Sequence, residues 1–376
     1  MPYLQEDHIQ KKETPLIKIR PHFQVLDGLR GIAALAVVVF HFMEWVYTDP
    51  GKNFIGHGFL AVDFFFCLSG FVIGYAYDER FESIGIKQFF KRRLIRLQPM
   101  VIFGSVIGLL AFLFDPFADY QQQYSTVKIL LIFLCSLLMI PLPVMGERSF
   151  NNFGLNAPSW SLFWEYVANI FYALFLVRLP KLILLILFIA AACFLFNTAY
   201  QKGNLVGGWA GENFWDGGVR IWYSFLAGLI IFRYNLIIKN NAGFIGCSVL
   251  LSLAFLMPHF SFNWLAEFLV VSLYFPFIVS LGAGCALPRS TLAVCQFSGN
   301  ISYPLYMTHY AGIWIFGNYL TTRHPEGITL TMTVICGTIF FIGFAWLVMK
   351  YYDTPVRKWL SRKYLQANRQ GTRSHV

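Results

Sequence analysis

The sequence predicts an all-α fold, a polytopic transmembrane bundle of about ten spanning helices plus one re-entrant segment, and three observations carry that prediction. The 376 residues are 57% hydrophobic and only 13% charged. A soluble domain carries about 25% charged residues, so too little polar surface is present to wet a globule. The apolar residues gather in blocks of about 14 to 24, close to the length a helix needs to cross a hydrocarbon core of about 30 Å. Nor do the blocks alternate polar and apolar, as the strands of a transmembrane barrel do.

Eleven apolar segments follow in order, at 25–47, 57–77, 98–114, 127–145, 158–178, 181–199, 218–234, 243–257, 263–284, 300–320 and 328–350. They make up a membrane domain over 25–352, between an amino-terminal tail (1–24) and a basic carboxyl-terminal tail (353–376). The first 22 residues are polar and carry Lys11, Lys12, Lys18 and Arg20, unlike a cleavable signal peptide. Basic flanks at Lys87–Arg93, Arg178–Lys181, Arg233–Lys239, Arg289 and after Lys350 mark the cytoplasmic side, which puts both termini there. Two cytoplasmic termini require an even number of crossings, so one segment must fail to span. The conflict lies between Arg96 and Arg178. Segment 98–114 is the choice for the re-entrant one, because it is short, ends at Asp115-Pro116 and, if it spanned, would leave Lys128 inside.

The net charge of +10 sits beside membrane segments, which explains it by orientation rather than by nucleic-acid binding. Cys67, Cys135, Cys193, Cys247, Cys285, Cys295 and Cys336 all lie in or beside apolar segments with no ligand spacing, and read as small buried hydrophobes. No metal site is expected from them.

A charged group at the bilayer centre costs about 2.5 to 3.5 kcal/mol on insertion scales, so each one within a span is a functional candidate. The candidates are Arg30, His41 and Glu44 in the first segment, Asp63 in the second, Glu165 in the fifth, Glu267 in the ninth and His309 in the tenth. Eleven residues separate Arg30 from His41, three helical turns plus about 20°, so both face one way about 16 Å apart. Asp63 and Glu165 fall at a depth similar to that of His41, and either could orient the imidazole as a general base. A purely structural polar network is the competing reading. Glu44 and Glu267 read as outer-interface residues. Near the cytoplasm, Arg92, Arg93 and Arg96 precede Pro99; Arg93 and Arg96 share a face and could fork onto phosphates, or serve only as a basic flank. Ser302, Tyr306 and His309 form one polar stripe, either a ligand wall or a helix contact.

These residues recur as motifs. The first segment reads Leu26-Asp27-Gly28-Leu29-Arg30-Gly31 with His41 following, and the second reads Phe64-Phe65-Phe66-Cys67-Leu68-Ser69-Gly70-Phe71. Then come Arg92-Arg93-Leu94-Ile95-Arg96-Leu97-Gln98-Pro99, Trp160-Ser161-Leu162-Phe163-Trp164-Glu165 and Ser302-Tyr303-Pro304-Leu305-Tyr306-Met307-Thr308-His309. In this order the chain resembles the membrane-bound acyltransferase 3 family, whose members O-acylate sugars, polysaccharides and some secondary metabolites. One departure is Asp353-Thr354-Pro355 where the family often has Glu-x-Pro. A fused extracytoplasmic esterase-like domain, common in the family, is not expected here.

The resemblance implies a bacterial inner-membrane enzyme that takes an acyl group, acetyl in the first instance, from cytoplasmic acyl-coenzyme A. The acceptor would be a hydroxyl of a glycan, a lipid-linked sugar or a similar molecule. His41 would act as base with Glu165 or Asp63 orienting it; an acyl-histidine intermediate is the other route. Arg30, Arg92, Arg93 and Arg96 would hold the donor phosphates, with Ser69, Ser302, Tyr306 and His309 along the donor channel. A secondary transporter for a sugar, lipid or proton-coupled solute is the alternative, although the inverted repeats usual there are missing. A haem or quinone protein using His41 and His309 is a more distant one.

Overall fold

The computed structural model of the protein describes residues 23–366. The tail residues Lys11, Lys12, Lys18 and Arg20, and the last ten of the carboxyl-terminal tail, lie outside the described residues. Among the described residues there is no strand, only two isolated bridges, Asn151 to Ala210 and Asn240 to Cys285.

Helix α1 (Gln24–Val46) lies at the centre of the bundle, with 61% of its most apolar stretch buried. Helices α2 (Ala61–Tyr77), α3 (Phe81–Leu113), α4 (Thr126–Leu137), α5 (Ser159–Leu174), α6 (Lys181–Lys202) and α7 (Phe214–Arg233) follow. After α8 (Gly243–Phe255), α9 (Asn263–Leu269) passes through one π-helical turn, Val270–Tyr274, into α10 (Phe275–Ala283). The chain ends with α11 (Arg289–Arg323), α12 (Gly327–Val348) and the short α13 (Thr354–Ser361).

Among the described residues, five continuous helical runs are long and apolar enough to cross a membrane: Gln24–Val46, Gly58–Leu113, Lys181–Lys202, Asn263–Ala283 and Gly327–Leu365. Two of them are turned mostly outward, because only 22% of the apolar window of α6 and 17% of that of α12 is buried within the protein. Ile183, Ile186, Ile189 and Phe194 on α6, with Ile328, Ile335, Ile339 and Phe340 on α12, are exposed. An apolar belt of this kind needs lipid as its solvent, and the chain is an integral membrane protein.

Segment 98–114 does not stand as a separate element. Residues 98–113 are the distal half of α3, a helix of 33 residues that tolerates Pro99 and bends at Gly85, whose φ is 73°. The short element between Arg96 and Arg178 is α4, whose 12 residues reach only about 18 Å. Between α4 and α5 the chain is non-helical yet buried from Asn151 to Pro158. Such backbone is tolerable at depth only if its polar groups are paired, and its asparagines supply part of that pairing. The Asn152 amide N–H donates to the Trp209 carbonyl (2.8 Å), and the Asn156 side chain donates to the Met307 carbonyl (3.3 Å). Buried Arg148 holds the same loop by donating to the Gly154 carbonyl, with its guanidinium between the rings of Phe112 and Trp314.

Two close helix pairs frame the interior. Helix α2 meets α7 where a Cβ at Gly70 would strike the Phe225 carbonyl and one at Gly228 the Cys67 carbonyl. Small residues let the backbones approach this closely. Helix α1 meets α11 in the same way, with Gly31 against the Ser298 backbone. Arg233, read from sequence as a basic flank, pairs with Asp78 (2.6 Å), and Tyr172 donates to the same carboxylate (2.7 Å).

Candidate active site

The two helix pairs bring the charged residues together in two cavities, one toward each end of the bundle. Toward the end where α1 begins, a cavity of about 420 Å³ is lined by Arg30 of α1 and by Arg92, Arg93 and Arg96 of α3. Arg93 and Arg96, three residues apart, stand on one helix face. Across from them α5 presents Glu165, whose Oε1 accepts from Arg93 Nη2 and from Ser69 Oγ of α2 (3.1 Å). Ser302 and Tyr306 of α11 line the same cavity. A smaller cavity of about 180 Å³ adjoins it and is lined by Arg30, Arg96, Asp353 and Arg357. Asp353, from the departing Asp-x-Pro element, pairs with Arg357 at 2.6 Å.

Toward the opposite end, a cavity of about 370 Å³ is lined by His41 and Glu44 of α1, by Tyr310 of α11 and by four tryptophans, Trp45, Trp160, Trp209 and Trp314. His41 Nδ1 lies 2.6 Å from Glu44 Oε1. The carboxylate can only accept, so Nδ1 carries a proton; in the neutral imidazole this leaves Nε2 with its lone pair. The Tyr310 hydroxyl donates to the same carboxylate oxygen at 3.5 Å and its ring meets the imidazole edge-on, with centroids 4.6 Å apart. The cavity therefore offers a base and its carboxylate partner beside aromatic walls.

The family model described as an acyltransferase domain matches residues 23–350. The chain belongs to the acyltransferase 3 family. It is similar to a protein of Staphylococcus aureus strain COL whose name provisionally calls it an O-acetyltransferase, at 25% identity over 89% of this chain and 57% of that protein. Over a shorter stretch, 27% of this chain and 16% of the relative, it is 30% identical to the O-acetyltransferase OatA of S. aureus strain NCTC 8325. Protein 2 in the picA locus of Rhizobium radiobacter is 33% identical over 40% of this chain and 81% of that protein. The chain thus spans little more than half the length of the full-length staphylococcal relatives it matches. No solved structure matches.

Within this chain, the partners of the carboxylates differ from those expected. Asp63 does not reach His41. One turn into α2 it faces α7, where Arg220 grips it through Nε (3.1 Å) and Nη2 (2.6 Å) while Nη1 donates to the Gly207 carbonyl (2.7 Å). Both side chains are almost fully buried, so the pair is closed. Glu165 is likewise held, by Arg93 on α3. The partner of His41 is Glu44, one helical turn away on the same helix, and the i, i+3 spacing was the signal for it. Arg220 was missed too; a lone arginine in an apolar segment was its signal.

His309 is not among the residues that line either cavity. Its ring stacks on that of His41, with centroids 5.5 Å apart at 23°, and its Nδ1 donates to the Leu305 carbonyl (3.0 Å). Its Nε2 is buried without a hydrogen-bond partner. Glu267, expected at the outer interface, is buried. It accepts from the Leu205 amide N–H and from Asn263, which also faces His57 (2.9 Å), and so fastens the α1–α2 connection to α9. Among the described residues no group of three or more His, Cys, Asp or Glu gathers as a metal site.

Proposed function

We propose that this acyltransferase moves an acyl group, acetyl first among them, from acyl-coenzyme A bound at the arginine end to a hydroxyl of a glycan or lipid-linked sugar bound at the histidine end. The observation that carries the reading is the pair of cavities, one walled by four arginines and the other by His41 and Glu44, which meet at a common wall. Positive-inside orientation supports a cytoplasmic face for the arginine end, and the family resemblance supports a bacterial inner membrane. Acyl-coenzyme A is made in the cytoplasm, so its polyanionic nucleotide meets Arg30, Arg93 and Arg96 first. Guanidinium forks suit its phosphates. The rise of about 16 Å from Arg30 to His41 is comparable with the reach of an extended pantetheine arm.

At the far end, His41 Nε2 takes the proton of the acceptor hydroxyl as its oxygen attacks the thioester carbonyl carbon. The C–S bond then breaks, the acyl group stays on the acceptor oxygen as an ester, and the imidazolium returns its proton to the departing thiolate. Glu44 holds the ring and offsets the positive charge it carries between these steps. Four tryptophans supply apolar faces against which the C–H faces of a sugar ring can pack, with their N–H groups and the Asn151 side chain as polar contacts.

Calorimetric titration of the detergent-purified protein with acetyl-coenzyme A tests the donor half. Saturable binding is expected, weakened at least tenfold in Arg93→Ala/Arg96→Ala. If a folded sample binds neither acetyl-coenzyme A nor free coenzyme A, the reading fails and a transporter becomes the better one.

A further inference from the structure

Two residues, Val62 of α2 and Tyr306 of α11, line both the arginine and the histidine cavities. Whatever passes from the arginines to His41 along this route passes between them. Both are nearly fully buried, at 5% exposure each. Tyr306 is held across the opening by the Ser161 hydroxyl of α5, with the two oxygens 2.7 Å apart. Ser161 Oγ also lies 3.0 Å from the Pro158 carbonyl, which can only accept, so the single serine proton goes there. Tyr306 is therefore the donor in its bond to Ser161. Phe65 backs the tyrosine ring edge-on, with centroids 5.6 Å apart. One hydrogen bond and two ring contacts, to Phe65 and to His309 (centroids 6.1 Å apart), fix the side chain, while Val62 has no polar group to hold it.

We propose that Val62 and Tyr306 form a size-selective partition: a bound donor must displace Tyr306 from Ser161 to bring its thioester to His41, and the gap beside Val62 sets how large an acyl group can follow. The inference rests on the acyl-coenzyme A reading and adds to it the residues that determine acyl length. A β-branched side chain is stiff at its first torsion and presents a wall of fixed size. Substitution at Val62 should accordingly change acyl preference without touching the phosphate site.

The test compares acetyl-, propionyl- and butyryl-coenzyme A with adenosine 3′,5′-bisphosphate, which carries phosphates but no pantetheine arm, by calorimetry on the full chain. Val62→Ala is expected to raise the butyryl-to-acetyl affinity ratio at least tenfold. Val62→Phe is expected to weaken acetyl-coenzyme A at least tenfold while the bisphosphate Kd stays within twofold, which also reports an intact fold. Wild-type binding of all four ligands with the acyl ratios unmoved by either substitution overturns the partition and leaves the donor site standing. If the wild type binds neither acetyl-coenzyme A nor the bisphosphate, the donor reading and the partition fall together.

Discussion

At the scale of single residues, the centre of the proposed chemistry is one helical turn of α1. His41 and Glu44 form a pair that needs no other element to bring them together, because residues three apart on a helix are neighbours. General base action is worth about 10² to 10⁴ in rate, and His41→Ala should lose about that much in kcat while the acetyl-coenzyme A KM stays close to wild type. Glu44→Gln keeps an oxygen to accept from Nδ1 but removes the negative charge that offsets the imidazolium. It should lower kcat less than Glu44→Ala does, again with little change in KM. Equal losses in the two variants would show that Glu44 acts by its charge alone, and a loss in Glu44→Ala only that it acts by shape; no loss in either would remove it from the mechanism.

Between elements, charge does structural work that the sequence presents as candidate catalysis. Asp63 and Arg220 join α2 to α7 within a core where an unpaired ion is strongly disfavoured. Removing one partner of such a pair typically costs about 3 to 5 kcal/mol, whereas exchanging both for apolar residues of similar volume is often neutral or stabilising. Arg220→Ala should therefore lower the thermal midpoint in detergent sharply, and Asp63→Leu/Arg220→Leu should recover most of the loss. A double variant no more stable than Arg220→Ala would mean that the two charges do more than compensate each other. Glycines at the same seam act with the pair: Gly70 and Gly228 set the approach of α2 and α7 that puts Asp63 within reach of the guanidinium.

For the whole molecule, the two-ended arrangement makes orientation part of the function. If the arginine end faces the cytoplasm, Ser83 beside it and Lys52 in the α1–α2 connection, both exposed, lie on opposite sides of the membrane. Cysteines introduced singly by Ser83→Cys and Lys52→Cys should react with a membrane-impermeant maleimide from the cytoplasmic side only and from the outer side only, respectively, above the background of the native cysteines. The reverse pattern would place the donor cavity outside the cell, where acyl-coenzyme A is not supplied.

Composition and hydropathy determined that the chain is a helical membrane protein, because an apolar share this large has no other solvent than lipid. Order and spacing of short motifs gave the family, and the helical period alone put Arg30 and His41 on one face and Arg93 beside Arg96. These are local properties, decided by residues within a few turns of each other. Which carboxylate meets which cation was not local. Asp63 and Glu165 each had the depth to serve His41, and only the packing of α2 on α7 and of α5 near α3 turned them toward Arg220 and Arg93. Likewise the helical stripe of Ser302, Tyr306 and His309 could be read from period, but not that its members have different surroundings. Tyr306 stands between the two cavities and His309 against His41. Depth along a helix follows from residue number, whereas facing depends on how neighbouring helices rotate to bury their small residues, and that is settled only when all of them pack at once.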